Sequence, residues 1–418
     1  MIYILFILYC CLFCWLISRI SFFTNSGLSN RILITLFLVR IIALIIGSYL
    51  NLYYFPVSDS VAFHNMGIDE FNLLFQNPKE YFVNIFHTET SESYYRLLDD
   101  SNSYWNNLRT NLLAKMLSLF DLFSFKSFVI NTLFFNFLVF FGVVALYKVF
   151  IKIFPGLSLQ LIMCIFLLPS ALFFSAMIHR DGLILLSISM VIYHLYFMMD
   201  QQYYSWKRII IMCLFLLVIF LLRNFVFICL LPALISWIVA QKFHRKALLS
   251  FLLVYAIISI LFFSSGYISP RFNLPKYVSS RQLSFIDVGK AGASTMNIDR
   301  LEPSFRSFFR NAPQAFSHSL LRPYITEIAS FEYLPFAIEI LAIEILFILF
   351  LLYKIKKRIV DPLIYFCIFF SLNMFLIIGY TVPIMGAIVR YRSIYLIFLI
   401  LPIIGYLNWN KVKIQKFK

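Results

Sequence analysis

The chain has 418 residues, of which 62% are hydrophobic and 13% charged, with 50 Phe and 25 Tyr. No soluble core of ordinary size absorbs that much apolar surface, so composition excludes a water-soluble globular enzyme and points to a polytopic membrane protein. The formal charge of +16 does not indicate nucleic acid, because most Lys and Arg fall in short breaks between apolar runs and no soluble basic domain is present to carry that function.

A bilayer core about 30 Å thick needs roughly 20 apolar residues per helix. Runs of that kind fall at 1–18, 32–54, 127–147, 159–178, 182–199, 209–222, 225–240, 247–265, 335–353, 360–381 and 393–408. They predict an all-α transmembrane helix bundle of about eleven spans, a single integral membrane domain over 1–418. Short strand-like alternation is absent, which argues against an outer-membrane barrel. The first run lacks a basic start and a small-residue cleavage site, so a retained helix is expected there. All seven Cys lie inside apolar runs without ligand spacing to His, as small core-facing or lipid-facing residues do.

The basic breaks set the orientation. Arg19 and Arg31, Lys148 and Lys152, Lys207 and Arg208, Lys242 to Lys246, Lys354 to Arg358 and the Lys-rich tail all share one side if the spans alternate. That side is expected to be cytoplasmic, with the N-terminus outside and the C-terminus inside. Two polar loops, 55–126 and 266–334, then become extracytoplasmic. Within the first, Val61 to Phe75 and Leu108 to Phe123 carry apolar spacings of three and four with a polar face, predicting helices that lie in the membrane interface. In the second, Lys290-Ala-Gly-Ala-Ser-Thr-Met296 predicts a mobile lid or link.

A charge near the bilayer centre costs about 2.5–3.5 kcal/mol on insertion scales, so every charge in an apolar run needs a partner, a wet cavity or a route to the interface. Asp59, His64, His179, Arg180, Asp181, Arg223, Arg322, Glu327, Arg390 and Arg392 all fall at outer helix ends or beside them, the last two between the final two spans. His179, Arg180 and Asp181 form the tip of a hairpin with Gly182 at its turn. Arg40 is expected to snorkel toward the cytoplasmic interface, and Glu339 or Glu344 to pair with Arg40 or Arg223. Arg offers a fork of donors that matches phosphate oxygens, and a transferred group needs a carboxylate base on its acceptor. Transfer from a lipid-phosphate donor fits this set. Asp59, at a helix exit, is the leading candidate base and Asp181 the second. No Asp-rich or His-rich cluster is evident, although the chemistry admits a divalent metal.

The Asp59 position in the first large loop, the interfacial helices there, the hairpin Pro169-Ser-Ala-Leu-Phe-Phe-Ser175 ending in Arg180-Asp181, the Arg390-Tyr-Arg392 element and Leu321-Arg-Pro-Tyr324 with Glu327 together resemble the GT-C class of integral-membrane glycosyltransferases. That resemblance implies a polyprenyl-phosphate or polyprenyl-diphosphate sugar donor, a glycan or lipid acceptor of the bacterial envelope, and Asp59 as catalytic base or metal ligand. It departs from the class in placing the Asp after the second apolar run and in having no acidic neighbour nearer than Asp69-Glu70. The expected roles are Asp59 as base, His179 and Asp181 orienting, and Arg180, Arg322, Arg390 and Arg392 on phosphate, with His64, Arg223 and Glu327 secondary. The alternatives are a polysaccharide polymerase or ligase, which lengthens chains by whole repeat units, and a lipid-glycan flippase or transporter, for which the matching halves of an internal repeat are not evident.

Overall fold

The computed structural model describes residues 2–55, 58–86, 104–243, 246–268, 272–289, 295–327, 331–355 and 360–415. Its helices in chain order are α1 (Ile2–Arg19), α2 (Ser21–Thr24), α3 (Asn30–Tyr49), α4 (Asp59–Gln76), α5 (Pro78–Val83), α6 (Tyr104–Ser124), α7 (Phe128–Ile153), α8 (Ser158–Ile165), α9 (Pro169–Ala176) and α10 (Arg180–Asp200). They continue as α11 (Trp206–Leu222), α12 (Asn224–Lys242), α13 (Ala247–Ile268), α14 (Leu274–Gly289), α15 (Phe305–Phe316), α16 (Leu334–Tyr353), α17 (Pro362–Thr381), α18 (Met385–Tyr406) and α19 (Trp409–Gln415). No strand occurs among the described residues beyond two isolated bridges. The chain is an all-α polytopic membrane protein.

Among the described residues nine helices are long and apolar enough to cross a bilayer, and the α8–α9 pair, bent by 52°, makes a tenth when taken as one broken span. The bend falls at Leu167-Leu168-Pro169, where proline ends the preceding helix and starts the next. The remaining apolar run became α11, whose 17 residues reach about 25 Å at 1.5 Å per residue. That is the short end of the roughly 17–25 residues over which helices cross a bilayer, so α11 supplies the eleventh span of the expected count.

Two further expectations are corrected. The last span begins at Met385, eight residues before the apolar run, so Arg390 and Arg392 lie inside α18 instead of in a loop. The second polar loop contains α14 and α15 on either side of the predicted lid, of which Lys290 to Ser294 lie outside the described residues. Gly182 does not form a turn: it is the third residue of α10, where a Cβ would stand 2.7 Å from the Phe135 ring, so its small size lets α10 approach α7.

The helices form two compact units. The first holds residues 1–158, 165–167 and 172–224, the second 159–164, 168–171 and 225–418. In the first unit α7 is the axis, buried along most of its length and packed on α10 and α3. Stacked and edge-on rings of Phe13, Phe23, Phe37, Phe137 and Phe140 join α1, α2 and α3 to it. Arg40 is held here and not snorkelled: its side chain is 1% exposed, Nε donates to Asn136 Oδ1 at 2.8 Å, and the two terminal nitrogens donate to Ser175 Oγ and the Ser175 carbonyl, each at 3.2 Å. In the second unit α17 and α18 pack together, with Phe370 between Phe366, Tyr395 and Phe398. Glu339 of α16 accepts from the Ser170 N–H and hydroxyl, both at 2.6 Å, so its partner is neither Arg40 nor Arg223.

A charged donor buried with its acceptor removed costs about 1–3 kcal/mol or more. Asn136→Leu is therefore expected to lower the melting temperature of the detergent-solubilised protein by that equivalent, whereas Ser264→Ala, at an exposed hydroxyl, leaves it unchanged.

Candidate functional site

The candidate site of the first unit is built where two helices begin. Ser58 caps α4, accepting from the Val61 N–H at 3.4 Å, and its own hydroxyl donates to Asn51 Oδ1 in the turn that closes α3. Asn51 is buried and donates back to the Gly47 carbonyl at 2.7 Å. On the other side of Asp59, Ser60 is fully buried and donates to the Ile178 carbonyl at 3.0 Å. Asp59 itself is exposed on the first turn of α4, where a carboxylate is also favoured by the helix dipole. Both of its neighbours are thus fastened, one to the end of α3 and one to the residue before His179, so the carboxylate stands on a fixed piece of backbone.

The start of α10 carries the other polar groups. His179 is the N-cap residue, buried, with Nε2 3.2 Å from Ser60 Oγ. Since the Ser60 proton is given to Ile178, His179 donates from Nε2. Arg180 donates to Thr110 Oγ1 of α6 at 2.8 Å and lies over the Phe63 ring of α4 at 4.9 Å. Asp181, 2% exposed, forms an ion pair with Arg223 at 2.7 Å, fastening the α11 end to the start of α10. Four of the sequence-derived residues, His179, Arg180, Asp181 and Arg223, therefore gather beside the helix that Asp59 begins.

His64 does not join them. It lies five residues beyond Asp59, about 140° around α4. Its Nδ1 accepts from Asn131 Nδ2 at 3.2 Å, and the same amide donates to Asp121 Oδ1 at 2.7 Å. Burial pushes the His64 imidazole down from its usual value, opposed by the Asp121 charge, and pushes the Asp121 carboxyl up, opposed by Asn131. Sequence reading missed Asp121 and Asn131. Each is an ordinary polar residue of an amphipathic or apolar helix, and nothing local tells that they meet.

In the second unit, Arg392 is fully buried and donates from Nη1 to the Ser319 carbonyl at 3.0 Å and to the Arg322 carbonyl. Those donors are engaged by main chain, so Arg392 positions the Ser317–Leu321 turn and the Arg322 that follows it. Arg322 is partly exposed; it donates to Met296 Sδ at 3.0 Å and pairs with Glu327 at 3.5 Å. Met296 is itself tied by its N–H to the Pro383 carbonyl at 2.7 Å. Arg390, half-buried, lies over the Tyr391 ring at 5.0 Å. His318, also missed from sequence, is buried in this turn; desolvation, reinforced by Arg322, holds its imidazole below the usual value.

Among the described residues no group of three or more His, Cys, Asp and Glu is arranged to hold a metal ion. No protein-family model matches the sequence, and no curated protein and no solved structure is significantly similar to it.

Because the folded imidazole of His64 lies below its unfolded value near 6.5, unfolded chains take up more protons as pH falls past about 6.5, and stability is lost in that direction. His318 acts in the same sense. Melting temperature is expected to drop between neutral pH and roughly pH 5, and His64→Asn, which retains an acceptor for Asn131, is expected to make the drop shallower. An unchanged pH profile in that variant would remove His64 from the account.

Proposed function

We propose that this integral membrane protein is a glycosyltransferase of bacterial envelope glycan synthesis, moving a sugar from a polyprenyl-(di)phosphate donor to a glycan or lipid acceptor. The observation that supports it most is the seating of the exposed Asp59 between two anchored serines, with Ser60 bonded to the turn that presents His179, Arg180 and Asp181. A base on a fixed helix start beside a guanidinium and a second helix N-terminus has the parts that group transfer from a phosphate needs.

In this reading Asp59 takes the proton of the acceptor hydroxyl as that oxygen attacks the anomeric carbon. The bond between that carbon and the phosphate oxygen breaks, and the leaving lipid phosphate carries the electron pair. Arg180 and the N–H groups at the start of α10 stabilise the developing charge. Asp181 acts through Arg223, holding the α10 start in place, and His179 orients Ser60. The protein would reside in the bacterial inner membrane with its N-terminus outside, its C-terminus cytoplasmic and Asp59 on the extracytoplasmic side; the one-sided basic breaks support that orientation.

A second reading, a lipid-glycan flippase, is favoured by the α8–α9 break, since discontinuous helices are common where transporters hold substrate. The two separate on one assay. Proteoliposomes loaded with labelled polyprenyl-phosphate sugar and acceptor are expected to form a glycosidic product, with Asp59→Asn lowering the rate by roughly 10²–10⁴-fold at unchanged melting temperature. Product formation at the wild-type rate by that variant would refute Asp59 as base. Movement of labelled lipid across the bilayer without any product would establish the flippase instead.

A further inference from the structure

The second unit carries an amphipathic helix that neither reading uses. Helix α15 rests where two spans end: Phe308, Ala315 and Leu301 pack with Tyr380 at the end of α17 and with Phe262 and Phe263 near the end of α13. The seat is close and fixed. A Cβ on Gly379 would lie 1.9 Å from the Ala315 carbonyl oxygen, and Tyr380 donates its hydroxyl to the Phe308 carbonyl at 2.7 Å. Gln282 of α14 adds two bonds from its amide nitrogen, to the carbonyls of Asp299 and Tyr380, and accepts from the Leu301 N–H.

At about 100° per residue the surface of α15 divides into three sectors. Phe308, Asn311 and Ala315 make the buried one. Phe305 and Phe309, 64% and 75% exposed and stacked on each other, form a second. Arg306 and Arg310, both exposed, form the third, roughly opposite the buried sector. Beside the phenylalanines runs an apolar groove of about 370 Å³ lined by Ser259, Ile260, Phe263, Ser264, Tyr267 and Phe305. Its floor is α13, a span of mean hydropathy 2.5 of which only 17% is buried inside the protein, so its surroundings are hydrocarbon. Exposed aromatics level with a span's end and a pair of arginines one sector away are what a lipid acyl chain and its phosphate each require.

We infer that the α13–α15 corner binds one anionic phospholipid of the bilayer, its acyl chain along the Ser259–Tyr267 groove against Phe305 and its head-group phosphate on Arg306 and Arg310. The site depends on neither Asp59 nor the start of α10. Its role is to anchor α15, and through Gln282 and Tyr380 the middle of α14 and the end of α17, to the membrane surface.

Native mass spectrometry of the purified full chain, titrated with phosphatidylglycerol or with phosphatidylcholine of the same acyl chains, tests this. Wild type is expected to retain phosphatidylglycerol in preference to phosphatidylcholine, and Arg306→Ala/Arg310→Ala to weaken that binding roughly tenfold to thirtyfold while weakening phosphatidylcholine, whose choline offsets its phosphate charge, much less. Arg306→Lys/Arg310→Lys is expected to restore most of it, and Phe305→Ala to weaken both lipids. Inorganic phosphate in large excess is expected not to compete, because it lacks the chain. Equal binding of both lipids by wild type, or undiminished phosphatidylglycerol binding by the double alanine variant, would overturn the inference. So would a dimer in detergent that Phe309→Ala separates, since a second copy would then be what covers this face.

Discussion

In hydrocarbon, a charge or a main-chain polar group without a partner inside the protein costs several kcal/mol, and there is no solvent to supply one. The architecture of each unit follows from meeting that requirement. In the first unit Arg40, 1% exposed in the middle of a span, spends its guanidinium on Asn136 and on both oxygens of Ser175, and in doing so fixes α3, α7 and the end of α9 to one another. In the second, Glu339 takes the N–H and hydroxyl of Ser170 at the start of α9, where the main chain has donors to give. Arg392 meets the carbonyls left open by the Ser317–Leu321 turn. Each buried charge is thus matched to main-chain groups that an irregular segment would otherwise leave unpaired, and removing either member exposes the other.

The same logic places the candidate site. The chain between α9 and α10 breaks helical bonding at Met177, Ile178 and His179, and the freed Ile178 carbonyl is met by Ser60. That bond docks the first-loop helix α4 onto the start of α10. What results is an exposed carboxylate on a fixed backbone, at the start of the helix whose Phe63 is covered by Arg180, itself held by Thr110. For the role proposed for Asp59, rigid placement matters more than the number of contacts, because small displacements of reacting groups cost large factors in rate.

Packing between helices is tuned by residue size. Gly142, Gly67 and Gly379 each stand where a Cβ would fall within 2.7 Å of a neighbouring helix, at Leu186, Leu117 and Ala315. Membrane helices associate by close van der Waals contact, lipid tails being as apolar as Leu, so small residues at such crossings and phenylalanine elsewhere give the fit. With 12 Gly and 50 Phe, this chain uses rings to fill and glycine sparingly to approach.

The sequence by itself determined the environment and most of the span positions, because hydropathy over roughly 20 residues is a local property that the bilayer reads directly. It also located α4 and α6 within a few residues, since amphipathic spacing is local, and it located the polar start of α10. The partners were decided only in three dimensions. Arg40 meets Asn136 and Ser175 across 96 and 135 residues, and Ser170 meets Glu339 across 169, and no short-range pattern encodes such separations. For the same reason α18 runs on through Arg390 and Arg392: hydropathy ends a span at its first charge, whereas the fold continues the helix once Arg392 has carbonyls to hold. The seating of α14 and α15 likewise rests on Gln282 and Tyr380, whose partners lie far along the chain and carry no local signature.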